Sequence, residues 1–120
     1  MTSPRPVARP RRGEVWVARL DPTLGDEMQK TRPVVVVRSD SMGMLAVKIA
    51  APFTTSEFGP APWRLAIKPT IQNGLDRAST VDLLQVRSLA VERFVSRLGS
   101  LSDEDMEQIA AAVAAVVEYV

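Results

Sequence analysis

Four consecutive valines, Val34 to Val37, stand directly between Pro33 and Arg38. β-Branched side chains favour the pleated strand, and successive residues of a strand point to opposite faces. A strand that is apolar at every position therefore has to be covered on both faces. A chain of 120 residues has room for one domain, so the remaining segments must wrap this strand. Gly13 to Leu20, halted by Asp21-Pro22, reads as a strand, as does Leu45 to Ala51, halted by Pro52. Trp63, Leu65 and Ile67 alternate with Arg64, Ala66 and Lys68, the period of a half-buried strand. Asn73-Gly74 marks a turn, Thr80 to Val86 reads as a fifth strand, and Val95 to Leu98 as a last one. The chain then changes period. Ser102 is a good N-cap with Asp105 three residues on, and Met106, Ile109, Ala110, Val113, Val116, Val117 and Val120 follow at helical spacing. Such a helix runs roughly 25 Å. Ala111, Ala112 and Ala115 leave its other face small and suited to cover by a second subunit. The fold class is α+β: a small curled β-barrel with a terminal helix packed on it.

Composition narrows the chemistry. With 46% hydrophobic and 24% charged residues the chain is that of a globular protein. No apolar run approaches the roughly 20 residues of a membrane span. There is no cysteine, which removes disulfides and thiolate sites, and no histidine, which removes the usual general base and the commonest metal ligand. Residues 102–120 carry Asp103, Glu104, Asp105, Glu107 and Glu118 and no base, a charge of −5. The other 101 residues hold all 15 bases against nine acids, so the body carries +6 and can attract a polyanion. The acids lie where a helix N-terminus favours them, which explains them more simply than a hard-cation site. Residues 1–12 interleave Pro4, Pro6 and Pro10 with Arg5, Arg9, Arg11 and Arg12 and read as an extended basic arm before a single domain over 13–120. Arg11-Arg12 lacks the apolar segment of an export signal, so the expected location is the cytoplasm.

Two segments invite function. Asp21 to Thr31 (DPTLGDEMQKT) is eleven residues long without apolar periodicity, and long connections in compact domains are often functional. It delivers the chain into Arg32-Pro33. Proline pushes the residue before it to extended backbone, so Arg32 sits at a rigid junction suited to hold a planar anion, or to pair with Glu27 or Asp26 of its own loop. Thr54, Thr55 and Ser56 follow the third strand, where hydroxyls either bond phosphate oxygens or cap the turn.

These residues resemble a family. DPTLGDEMQKTRPVVVV is similar to the signature of the MazF/PemK toxin ribonucleases, an Asp-Pro-Thr-x-Gly-x-Glu loop leading into Arg-Pro and a valine-rich strand. The likeness continues through Gly13-Glu14, Pro52-x-Thr54-Thr55, Gly74-Leu75-Asp76 with Ser79, Gln85-Val86-Arg87 and Arg97-Leu98-Gly99-x-Leu101-Ser102, over about residues 12–118 in order. It departs at Asp26, Met28, Gln29 and Leu84, where serine, glutamine, glycine and aspartate are common. The resemblance implies a homodimer of SH3-like, CcdB/PemK-type barrels that cuts single-stranded RNA without metal or other cofactor. It implies a 2′,3′-cyclic phosphate and a 5′-hydroxyl as products, and a cognate antitoxin that holds the activity in check. The functional arginine maps to Arg32, the threonine to Thr54 and the loop glutamate to Glu27; Lys30, Thr31, Thr55, Ser56, Phe58, Gln85 and Arg87 are the implied RNA contacts.

The chemistry is consistent with those residue types. Attack by the ribose 2′-hydroxyl needs alignment, charge stabilisation and proton transfer, but no external nucleophile. A guanidinium directs two donors at the phosphorane oxygens and a threonine hydroxyl adds a third. Because a guanidinium stays charged at neutral pH, Arg32 serves as a clamp, and Glu27 is the candidate acceptor for the 2′-hydroxyl proton. Phe58, in the loop 56–62, is the stacking candidate for an unpaired base. Two rivals are non-enzymatic: a CcdB-like toxin that binds DNA gyrase, which relies on a tryptophan near a chain end that here reads Glu118-Tyr119-Val120, and an SH3-like binding module, whose aromatic groove is poorly supplied here.

Overall fold

The computed structural model describes residues 9–20, 31–43, 47–55, 59 and 61–118. Among these residues seven strands precede one α-helix: β1 (Glu14–Arg19), β2 (Thr31–Val36), β3 (Val47–Thr54), β4 (Arg64–Ile67), β5 (Ser79–Asp82), β6 (Arg87–Ala90), β7 (Phe94–Ser100) and α1 (Asp103–Val116). The fold is α+β, as the sequence implies. The strands form one antiparallel sheet in the order β4-β5-β3-β2-β1-β7, with β6 also paired to β3.

The valine run behaves as its composition requires. Val34, Val35 and Val36 are all fully buried. Val35 faces a larger core with Val15, Phe53, Leu83, Met106 and Ile109, against which α1 packs. Val34 and Val36 face a smaller one with Ala18, Ala50, Leu89 and Phe94, closed by Trp16 edge-on to Phe94 at 6.0 Å. Each such valine contributes about 1.5–3 kcal/mol of burial, so β2 anchors both faces.

The sheet curls as expected and leaves the barrel open: among the described residues β4 and β7 are not paired to each other. Instead of a strand ladder, the two ends meet through the loop after β4. Ser100 N donates to Gln72 O at 2.9 Å, and Gly74, at φ 71°, packs so tightly that a Cβ there would lie 2.1 Å from Leu98 O. Glycine alone satisfies both the positive φ and that approach.

Asn73 holds this loop together. It is buried, its Oδ1 accepts from Thr70 N at 2.9 Å and Leu75 N at 3.0 Å, and its Nδ2 donates to Lys68 O at 2.8 Å. Removing that side chain strands several polar groups, so Asn73→Ala should cost about 3 kcal/mol and lower Tm by about 10 °C in a thermal melt. An unchanged Tm would show that the loop is held otherwise.

Other boundaries differ from the sequence reading for local reasons. β3 runs through Pro52 to Thr54 instead of ending before the proline. Along the edge of β3 that faces β5 and β6, residues 47–50 pair with β6 and residues 53–54 with β5. Pro52 falls in the gap between those ladders, where a missing N–H is tolerated. The gap arises because the expected strand over 80–86 breaks: Asp82 caps a 3-10 turn, Leu83–Gln85, and the chain resumes as β6, which the sequence reading leaves out. The helix begins as expected, with Ser102 Oγ accepting from Asp105 N at 3.1 Å and Asp103, Glu104 and Asp105 in the first turn. Residues 9–12, placed in the basic arm by composition, are held: Pro10 is fully buried, Arg11 N donates to Glu14 Oε1 at 2.8 Å and Arg12 N to Asp40 Oδ1 at 3.0 Å. No helix among the described residues is long and apolar enough to cross a membrane.

Candidate active site

β2 and β3 are paired at Val36–Ala50, Val35–Ala51 and Val34–Pro52, and the ladder stops there. The next residue of β2 is Pro33, which has no N–H to continue it. β3 turns its last two residues to the other side, where Phe53 pairs with Val81 and Thr54 with Thr80. The strands part at this point and leave an open cleft of about 570 Å³ between them. Its volume lies within the roughly 300–1,000 Å³ range of ligand pockets.

Arg32 and Thr54 both line the cleft. Each lies two residues beyond the Val34–Pro52 pair, on one of the two strands as they part. Both share strand parity with Val34, Val36 and Ala50, on the face away from α1. Arg32 is exposed, and among the described residues its guanidinium has no hydrogen bond or ion pair. The half-buried Thr54 hydroxyl has one proton to share between Thr55 O at 3.3 Å and Thr80 O at 3.5 Å. Both exceed the roughly 2.5–3.0 Å of a good O–H···O bond, so a better acceptor in the cleft would take the proton.

Thr55 and Gln85 line the same cleft. Thr31, exposed at the head of β2 opposite Arg19, and Arg87, exposed at the head of β6 opposite Ala50, are outside its lining. Glu27, Lys30, Ser56 and Phe58 lie outside the described residues, as does Asp26, the other carboxylate that Arg32 could pair with. The cleft also contains residues to which the sequence reading gave no role. Buried Phe53 and Leu75 line it, while Asp76 and Arg77, 3.6 Å apart, add two exposed charges to that of Arg32. Ser79 Oγ donates to Arg77 O at 3.0 Å and fixes the backbone that carries that second guanidinium. The available signal was the basic residue in Asp76-Arg77-Ala78-Ser79, just before the strand that pairs with Thr54. No cluster of three or more potential metal-ligating side chains occurs among the described residues.

A cleft with two guanidiniums, an available hydroxyl and an apolar floor suits a phosphate ester attached to a flat ring. Residues 11–117 match the family of PemK-like, MazF-like toxins of type II toxin–antitoxin systems. The chain belongs to that family. Over 105 residues it is 30% identical to a Mycobacterium tuberculosis (strain ATCC 25618 / H37Rv) protein named endoribonuclease MazF9, covering 82% of this chain and 88% of that one. Among solved structures it is similar to a mycobacterial endoribonuclease in complex with its cognate antitoxin, at TM-score 0.75 and 21% identity over 93% of this chain and 98% of that one. A MazE–MazF structure from Deinococcus radiodurans gives TM-score 0.76 at 18% identity over 92% and 97%. These likenesses establish the PemK/MazF fold for the open sheet and terminal helix described above.

Proposed function

We propose that this family member is a toxin endoribonuclease that cuts single-stranded RNA, mRNA included, within a short recognition sequence, and that a cognate antitoxin inhibits it. The observation that carries the proposal is that Arg32 and Thr54 line one cleft where β2 and β3 part. In this reading the scissile phosphate sits between them. The 2′-oxygen bonds to phosphorus, the bond from phosphorus to the 5′-oxygen breaks, and a 2′,3′-cyclic phosphate and a 5′-hydroxyl result. Arg32 and Thr54 donate to the oxygens that gain charge in the transition state. Glu27 takes the 2′-hydroxyl proton and the departing 5′-oxygen receives one from solvent. Arg77 offsets the charge of Asp76, so the rim does not repel the next phosphate. Thr55 and Gln85 contact the nucleotide in the cleft, and Lys30, Thr31, Ser56, Phe58 and Arg87 extend the RNA path. The active form is a homodimer, and the antitoxin covers the same cleft.

Incubating purified protein with a long transcript in excess EDTA, then mapping the new ends, tests this reading. The expected result is cutting at one short motif with 5′-hydroxyl ends, at a rate EDTA does not change. An intact transcript would refute it, and gyrase inhibition without cuts would favour the CcdB-like alternative.

A further inference from the structure

Asp82 closes β5 and engages the following turn with both carboxylate oxygens. Oδ1 accepts from Leu84 N at 3.0 Å and Oδ2 accepts from Gln85 Nε2 at 2.9 Å. A terminal amide such as that of Gln85 can turn over about its last torsion and present either its carbonyl or its NH₂. Opposite an ionised carboxylate, which only accepts, a single orientation is bonded: Nε2 toward Asp82 and Oε1 away from it. Gln85 is exposed and lines the cleft with Arg32 and Thr54, so the orientation of this amide is a property of the site. Leu84, between the two, brings no competing polar side chain and is itself 57% exposed.

We propose that Asp82 is a positioning residue that sets base choice, by locking Gln85 so that its acceptor Oε1 meets the base held in the cleft. The base selected at that position is one that turns an N–H toward Gln85, from an exocyclic amino group or a ring imino nitrogen. This inference rests on the reading of the cleft as an RNA site and deepens it. Asp82 touches no RNA; it acts through Gln85.

The test uses two substitutions that keep the turn capped, since Asn and Ser cap about as well as Asp. In Asp82→Asn the side-chain carbonyl can still accept from Leu84 N, which turns an NH₂ group toward Gln85. Gln85 then bonds through Oε1 and its own NH₂ swings toward the cleft. Asp82→Ser is too short to reach Gln85 and frees the amide. Cleavage maps of wild type and both variants on one long transcript, with thermal melts to establish folding, read the outcome. At one motif position the wild type should prefer its base over the others. Asp82→Ser should lower that preference about tenfold, and Asp82→Asn should shift it toward a base presenting an acceptor. A merely structural role would lower the rate at all sites alike and leave base choice unmoved. Folded variants that cut the wild-type motif with undiminished preference overturn the proposal alone, and folded variants that cut nothing overturn it by assigning Asp82 to the reaction itself. A wild type that cuts no RNA overturns the ribonuclease reading and this proposal with it.

Discussion

Arg32→Ala should lower the rate of RNA cleavage about 10²–10³-fold while Tm stays within a few degrees of wild type. The size follows from what the side chain would do. Removing one preorganised donor to a developing oxyanion costs roughly 3–4 kcal/mol of barrier, and a guanidinium brings two donors and a full charge. The small effect on stability follows from where the side chain is. Arg32 is exposed at the second residue of β2, beyond the last β2–β3 pair, and no described residue depends on its guanidinium. Arg32→Lys separates charge from shape, because lysine keeps the charge but loses the planar fork. If the fork matters, lysine should recover no more than about tenfold of the loss. Full activity in folded Arg32→Ala protein, measured on a transcript carrying the wild-type motif, would remove the central residue of the proposed mechanism.

The parts of the fold that could be read from the sequence are those where one residue's chemistry decides the outcome. A run of valines has to be covered on both faces, and Val34, Val35 and Val36 are, in two cores on opposite sides of β2, with Val37 half-buried just beyond it. Ser102 with acids after it starts a helix wherever an apolar stripe follows, and α1 begins at Asp103. The misplaced boundaries depend instead on neighbours distant in sequence. Pro52 looks like a stop, yet on the β5/β6 edge it faces a gap between two ladders, and that gap exists because Asp82 caps a turn thirty residues on. Barrel closure depends on whether β4 and β7 meet as strands. The approach of Gly74 to Leu98 and the Ser100–Gln72 bond let a loop join them, and nothing in the local pattern of either segment records this. The candidate site divides in the same way. Arg32 and Thr54 stand out by local chemistry and by a resemblance, and the parting of β2 from β3 is what brings both into one cleft. Arg77 and Asp82 carry no motif in the sequence; their relevance comes from the strand that pairs with Thr54 and from the turn that holds Gln85.

Thr54→Val should lower cleavage about a hundredfold, and it isolates one atom pair, since valine keeps the shape and β-branching of threonine and removes the O–H. The stability cost should stay below about 1 kcal/mol, because among the described residues the one hydroxyl proton has only long contacts, to Thr55 O and Thr80 O. Thr54→Ser, which keeps the donor, should stay within about tenfold of wild type. The decisive measurement is the double variant. If Arg32 and Thr54 grip one phosphate, losing the arginine lets that phosphate drift, and the hydroxyl then has little left to stabilise. Arg32→Ala/Thr54→Val should therefore be much less impaired than the product of the two single effects, as for groups that act as a unit. If the two losses multiply in full, the side chains act on separate parts of the RNA, and lining one cleft does not make them a unit.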